Sequence, residues 1–367
     1  MKFIVNKASF IKDLAVGGSL AGRSKAMPIL DSAKICVNGS SGEIISSNLE
    51  STIHKRFDLS EPAEGSTSFC IEYDTFSKVI KSLPAGDIAI DVRADHTVSI
   101  VHANGMIELP ISDASAFPAD KEFKAIGEFD MDGSRLLDWV GKALDFAAND
   151  EFRLIMNCMY LYRKGPEVGF CATDAHSLIT DSMSDGVDLP DVGLAINRFS
   201  LPALCNVAKS SAMVRVSYNA KDVCFSGLDG TVLYSKFIEG AYPNFKAVIP
   251  NGGKISLTVD KEAIKNAIIR STTCMNKATC DVTLFIGPDT IQIEAYDMDF
   301  NKKSVEHVEC RNGGVAKVRL NANKLLNCIG AISSQDVNII ATDHSKPVVL
   351  KDSSNSNKTV LLMPMTD

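Results

Sequence analysis

The chain has 367 residues, 45% of them hydrophobic and 23% charged, with a formal net charge of −7, and that length suits two to four globular domains. The negative sum argues against a protein that grips nucleic acid by bulk charge, and no apolar run approaches the ~20 residues that span a bilayer, so no membrane partner is expected. Ten cysteines without a Cys-x-x-Cys pair and six histidines without metal-ligand spacing point to reduced, buried thiols in a cytoplasmic protein, with no metal and no cofactor.

Residues 1–6 read as a short strand without the long apolar stretch of a signal peptide. Asn6 then caps a helix with Phe10, Ile11 and Leu14 on its apolar face, and Gly17-Gly18 weakens its end. Strands follow at 33–37, 43–46 and 53–59. Asp74 caps a second helix carrying Phe76, Val79 and Ile80, stopped by Pro84. Strands at 88–92, 98–102 and 106–111 lead to a linker beginning at Phe117-Pro118.

The order then repeats. Asp132 opens a helix with Leu136, Leu137, Val140 and Leu144, followed by strands at 154–162 and 168–173. Asn197 or Ser200 opens the next helix, with Pro202 in its first turn and Leu201, Leu204 and Val207 on its apolar face. Strands at 214–218, 223–227 and 232–237 lead to Tyr242-Pro243. In the third copy Asp260 precedes Ile264, Ile268 and Ile269. Strands at 282–286, 291–296 and 303–309 come next, and Asn321 opens the helix of Leu325, Leu326 and Ile329. Strands at 337–341, 348–351 and 359–363 finish the chain, with the polar stretch 352–358 as a hairpin loop.

Asn6, Asp132 and Asp260 are 126 and 128 residues apart, and Asp74, Asn197 and Asn321 are 123 and 124 apart. A period of that length is a whole small domain and not a solenoid repeat. We therefore expect three tandem α+β domains at 1–124, 125–251 and 252–367, each with two helices and mostly antiparallel strands.

On helical wheels, Lys12, Lys78, Arg135, Lys142 and Arg270 fall opposite the apolar stripes, and Arg23, Arg198, Lys209 and Lys324 lie near helix ends. An acidic chain that puts cations on its helix faces has segregated its charge, and such faces attract phosphates. With one Trp, few Tyr and no Arg-rich arm, contact with nucleic acid would be to the backbone and blind to sequence. The adjacent Asp174, His176 and Ser177 raise a hydrolase as an alternative, but no nucleophile elbow, P-loop or dinucleotide fingerprint accompanies them. A peptide-binding scaffold without DNA is the other alternative.

Four segments carry a family resemblance. They are Ser19-Leu20-Ala21-Gly22-Arg23 with Met27-Pro28-Ile29-Leu30, and Ala172-Thr173-Asp174-Ala175-His176-Ser177-Leu178. The others are Tyr242-Pro243-Asn244-Phe245 with Val248-Ile249-Pro250, and the terminal Leu361-Leu362-Met363-Pro364-Met365. They resemble the bacterial DNA polymerase III β subunit family, the replicative sliding clamps, and span all three repeats.

The resemblance implies three clamp domains per chain and a head-to-tail homodimer. Its ring of six domains would have helices lining a hole for double-stranded DNA. It implies a non-catalytic processivity factor that binds duplex without sequence preference. The expected DNA-facing residues are Lys12, Arg23, Lys78, Arg135, Lys142, Arg198, Lys209 and Arg270. It further implies a peptide cleft for the clamp loader and for replicative and repair polymerases. Arg153, Met156, Thr173, His176, Leu178, Pro243, Val248, Met363, Pro364 and Met365 would form its wall. At the implied dimer contact stand Ile107 and Leu109 on one side and Thr273 and Cys274 on the other. The chain departs from the family at Ala175, Ser177, Ala247 and the Thr366-Asp367 tail, so its peptide preference is expected to differ, above all for acidic or polar flanks, and at Thr273 and Cys274, a departure that bears on the strength of the dimer.

Overall fold

Three side chains start the fold's repeats. Asn6, Asp132 and Asp260 each end a strand and turn it into a helix, accepting from the backbone N–H of Ala8 (3.1 Å), Arg135 (2.8 Å) and Ala263 (2.8 Å). Each bond satisfies an N–H that the first helical turn leaves without an intrahelical partner. The computed structural model describes every residue except Lys25, Asp120, Lys121, Asn251, Asp343, Thr366 and Asp367.

In chain order the first copy runs β1 (Lys2–Asn6), α1 (Lys7–Gly17), β2 (Ser32–Asn38), β3 (Ser41–Ser47), β4 (Ser51–Asp58) and β5 (Ser66–Glu72). It continues through α2 (Tyr73–Ser82), β6 (Asp87–Val92), β7 (Thr97–His102), β8 (Gly105–Pro110) and β9 (Ser112–Asp113). The second runs β10 (Gly127–Asp132), α3 (Gly133–Phe146), β11 (Cys158–Thr173), β12 (Ser177–Asn197), α4 (Leu201–Ser210), β13 (Met213–Tyr218), β14 (Asp222–Gly227) and β15 (Thr231–Lys236). The third runs β16 (Ile255–Asp260), α5 (Lys261–Thr272), β17 (Asp281–Ile286), β18 (Thr290–Asp297), β19 (Lys302–Arg311) and β20 (Ala316–Asn321). It closes with α6 (Ala322–Gly330), β21 (Asp336–Ala341), β22 (Val348–Asp352) and β23 (Asn355–Leu362).

By compactness the chain divides into two units, with the second copy shared between them. The first, Met1–Val140 with Phe199–Phe237, holds a four-stranded sheet in the order β1-β6-β7-β8. It also holds a nine-stranded sheet, β10-β13-β14-β15-β4-β3-β2-β5-β9. Phe10 and Leu14 of α1 and Phe76 and Ile80 of α2 are buried with Phe3, Ile35, Phe57 and Ile90. Phe10 meets Phe57 edge-on at 5.1 Å, a favoured aromatic geometry. The second unit, Gly141–Arg198 with Ile238–Asp367, holds one ten-stranded sheet, β11-β12-β23-β22-β21-β16-β19-β18-β17-β20. Ile264 and Ile268 of α5 and Leu325 and Ile329 of α6 are buried in it. Every strand pairing is antiparallel.

Several local expectations are corrected. Glu72, not Asp74, caps α2, because its longer carboxylate reaches both Asp74 N (3.0 Å) and Thr75 N (2.7 Å). Asn197 ends β12 instead of opening a helix. Ser200 is the N-cap residue of α4 but makes no side-chain cap bond, since its hydroxyl joins Ser51 and Ser235 at 2.6 and 3.0 Å. Residues Leu154–Met156 form a 3-10 turn and the strand starts at Cys158. On α3 the buried stripe runs through Leu136, Trp139, Val140, Ala143 and Phe146, leaving Leu137 and Leu144 half-buried. The stretch 352–358 is largely strand. Its turn is confined to Ser353 and Ser354, and Asp352 and Lys358 are buried.

Candidate binding cleft

In the second unit, aromatic stacking sets one wall of a cavity. Tyr242 lies on Tyr160 of β11 with ring centroids 4.4 Å apart and planes 3° from parallel. Its hydroxyl donates to Cys171 Sγ at 3.7 Å. Burial, and then the thiols of Cys171 and Cys158, push this phenol far above its usual range, so it stays neutral. Phe245 packs 5.7 Å from Tyr162. Together these rings fix Pro243 and the 3-10 turn Phe245–Val248.

The facing wall is the turn between β11 and β12. Asp174 Oδ1 accepts from His176 N (3.0 Å), Ser177 N (2.7 Å) and Ser177 Oγ (2.9 Å). Thr173 Oγ1 accepts from Ala175 N (3.1 Å) and donates to Ser177 O (2.7 Å). Ala175 sits at φ 72°, a left-handed conformation that glycine adopts without the Cβ cost. Lys324 of α6 ion-pairs with Asp174 Oδ2. Burial alone would raise the Asp174 carboxyl, but the Lys324 bond and the Ser177 and His176 amides hold it below the usual range.

The floor is a cross-strand pair, Leu178 of β12 opposite Leu361 of β23, both buried. Met363 N donates to His176 O at 2.7 Å and carries the ladder past the strand's end. The result is a cavity of about 320 Å³, within the ~300–1,000 Å³ of small-ligand sites.

The structure brings Met156, Thr173, His176, Leu178, Pro243, Val248 and Met363 around this cavity. Arg153 stands apart from the lining, with its guanidinium turned onto Asp150 at 2.8–3.0 Å. Pro364 and Met365 are half-buried beyond the lining, and Met365 N donates to Arg319 O at 2.8 Å. Ala175, Ser177, Asn244, Phe245 and Leu361 also line the cavity. Ala247 is exposed on the 3-10 turn, and the Thr366-Asp367 tail lies outside the described residues.

Asp174 and His176 lie in the turn that leads into β12, and Ser177 is the first residue of that strand. Ser177 Oγ donates to the carboxylate directly, so these groups build an Asx-type turn without the base–nucleophile bond of a triad.

The cations sit in varied settings. Lys12 on α1, Arg23 beyond it and Lys209 in the last turn of α4 are exposed. Lys78 is exposed but pairs with Asp74 at 2.5 Å, and Arg270 pairs with Glu306 at 2.6 Å. Arg135 and Lys142 are half-buried along α3. Arg198 is half-buried and donates to Ala147 O (2.9 Å) and Ala148 O (2.8 Å), just past the end of α3, which stabilises that terminus.

Ile107 and Leu109 lie on β8, an edge strand, half-buried against the first unit's core, while Met106 is 58% exposed. Thr273, exposed, donates to Arg270 O at 2.7 Å, and Cys274 is half-buried. Sequence reading missed their neighbours at the β18–β19 turn. Met298 is 89% and Phe300 73% exposed, and Asn276 N donates to Tyr296 O at 3.2 Å. Two large apolar residues within three positions of a polar turn were the available signal. Beside them β19 pairs with β16 only at Arg311 and Cys310.

Tandem α+β copies, all-antiparallel sheets running from one copy into the next and a neutral apolar cleft define a multidomain binding protein. Two families match by sequence: "DNA polymerase III beta subunit, N-terminal domain" over residues 1–120 and "DNA polymerase III beta subunit, C-terminal domain" over 246–366. The chain belongs to the DNA polymerase III beta subunit family. It is 22% identical over 368 residues to the beta sliding clamp of Pseudomonas putida and 23% over 370 residues to that of Salmonella typhimurium, covering 100% of both chains in each case. A crystal structure of the Pseudomonas aeruginosa clamp bound to griselimycin shares its fold, with a TM-score of 0.93 at 21% identity and 100% coverage of both chains.

Proposed function

We propose that this chain is a DNA sliding clamp, a non-catalytic processivity subunit that encircles duplex DNA and tethers polymerases to it in the cytoplasm. The observation that carries the reading is the neutral apolar cavity of about 320 Å³ in a chain that matches beta sliding clamps from end to end. Its clamp domains are 1–124, 125–251 and 252–367, and its cleft receives peptide segments of the clamp loader and of replicative and repair polymerases. Confinement replaces affinity, which is why a net charge of −7 is compatible with DNA as partner: cations on helix faces and near helix ends need only hold the backbone loosely. Griselimycin, bound in the P. aeruginosa clamp structure, is the probe we propose for the cleft.

After loading by a cognate clamp loader, the protein should co-elute with nicked circular duplex DNA and be released when the circle is linearised. Equal retention on linear and circular DNA, or none on either, rejects encirclement. Lys12→Glu with Arg23→Glu, two exposed cations of the first unit, should reduce loading about fivefold to tenfold in low salt.

Closure of a ring needs a second chain, joined head to tail. Two open stretches of strand are suited to it: the edge strand β8, and the part of β19 that β16 leaves unpaired, next to the turn of Met298 and Phe300. Native mass should be twice the chain's 39.5 kDa. Met298→Ser with Phe300→Ser, which removes exposed apolar area without touching a core, should shift it toward one chain. An unchanged dimer places the contact elsewhere.

A further inference from the structure

Ala175, in the turn that walls the second-unit cavity, holds φ 72° and is exposed. In that left-handed region an alanine methyl crowds the backbone, a cost that glycine escapes. The turn's hydrogen bonds fix the conformation. Thr173 Oγ1 accepts from Ala175 N (3.1 Å) and donates to Ser177 O (2.7 Å). Asp174 N donates to Ser177 O at 3.2 Å, and Asp174 Oδ1 accepts from His176 N and Ser177 N. Glycine at 175 would keep every one of these bonds, because none involves the methyl. Nor is the methyl part of the buried core, since the residue is open to solvent. The backbone strain therefore has no compensation inside the chain, and uncompensated strain of this kind gathers where ligands bind.

The methyl's one setting is the cavity. Ala175 stands on its wall with Leu178, Pro243, Val248, Leu361 and Met363, an apolar surround. The first unit repeats the arrangement at residues 47–51. There Ser47 Oγ accepts from Leu49 N (3.2 Å) and donates to Ser51 O (3.0 Å). Asn48 Oδ1 accepts from Glu50 N (3.1 Å) and Ser51 N (2.7 Å). Leu49 takes the place of Ala175 at φ 75°, and it too lines a cavity. In both units this position of the turn presents its side chain to a cavity. Leu49 also shows that the turn keeps its shape with a side chain larger than a methyl.

We propose that Ala175 is a ligand-contacting residue of the cleft, whose methyl packs against an apolar side chain of the bound peptide. The free protein carries the left-handed strain for the sake of that contact. That the occupant is a peptide rests on the reading of the cleft as a peptide site; the direction of the methyl rests on the turn.

Griselimycin is titrated by calorimetry into the full-length protein and two variants, and each protein is also unfolded in urea. Ala175→Gly should bind about threefold to tenfold more weakly, the loss of one methyl contact, while its urea midpoint stays level or rises. Ala175→Leu, whose added bulk stands in the cleft, should bind more weakly by about tenfold or more and keep a cooperative urea transition. A purely structural alanine would not give weaker binding without weaker folding. Unchanged affinity in Ala175→Gly overturns the proposal. So does a weakened glycine variant beside a leucine variant that binds like wild type, which would make stiffness of the turn the cause. A lowered midpoint in the glycine variant overturns it as well, by showing that the methyl serves the fold. If the wild type itself fails to bind griselimycin, the cleft reading falls and takes the proposal with it. If the wild type binds and both variants match it, the proposal alone falls.

Discussion

Replacing Val248 and Met363 together by alanine should weaken griselimycin binding about thirtyfold to a hundredfold, a loss of ~2–3 kcal/mol, without moving the thermal midpoint by more than a few degrees. The two side chains line the cavity from different elements, the 3-10 turn and the segment after β23. Val248 is 55% exposed and Met363 half-buried, so truncation removes surface offered to a ligand more than surface holding the fold. Methionine also matters for breadth, because its flexible thioether repacks around different guests. Replacing Arg153 should have little effect, since its guanidinium already lies on Asp150. Unchanged affinity in the double variant would remove the cavity from the list of ligand sites. A collapse in midpoint would show that the pair supports the core.

The parts of the fold written in short-range chemistry were legible from the chain alone. Asn6, Asp132, Asp260 and Asn321 cap helices because a short polar side chain beside an amphipathic run has a nearby N–H to bind. Glu72 escaped notice because glutamate is a less usual cap, and its reach decided the matter. β12 was invisible for a different reason. Its Asp181 is buried yet satisfied by Asn355 Nδ2 at 3.0 and 3.1 Å, and its Asp185 holds the buried Arg163 at 2.8 and 2.9 Å. Polar residues matched to partners far along the chain break the alternation on which a strand is recognised. The cleft divides the same way. Its motif residues Thr173, His176, Pro243 and Met363 were readable through resemblance. Phe245 and Leu361 stand in the same motif segments but were not expected in the wall, and strand register and ring stacking place them there. Arg198 illustrates the converse: in the sequence it is a cation near a helix end, expected to face DNA, but backbone carbonyls two and three residues past Asp145 take up its guanidinium.

Lys358→Met should cost the second unit about 3–5 kcal/mol at neutral pH, the usual penalty for breaking a buried ion pair from one side. Lys358 Nζ lies 2.9 Å from Asp352 Oδ2, with side chains 3% and 0% exposed. It also donates to Ser333 Oγ at 2.9 Å. Asp352 accepts in addition from Ser333 N (2.7 Å), Ser354 N (3.0 Å) and Ser354 Oγ (2.5 Å). Burial by itself would raise this carboxyl, but the Ser354, Ser333 and Lys358 bonds outweigh it and hold the group well below the ordinary range. A depressed folded value means that its contribution is fully present above the unfolded pKa of about 3.9 and is lost as pH falls toward the folded value. Methionine at 358 leaves the carboxylate charged and short of its cationic partner, which raises its pKa. The deficit of the variant should therefore be largest at pH 7 and narrow on acidification as Asp352 takes up a proton. Asp352→Leu with Lys358→Met, which removes both charges, should recover part of the loss, limited by the Ser333 and Ser354 amides then left without an acceptor. Urea unfolding of the three proteins at neutral and acidic pH measures this. A single-variant cost below about 1 kcal/mol at pH 7 would mean that the pair behaves as a solvated one, and a deficit that grows on acidification would reverse the sign assigned to Asp352.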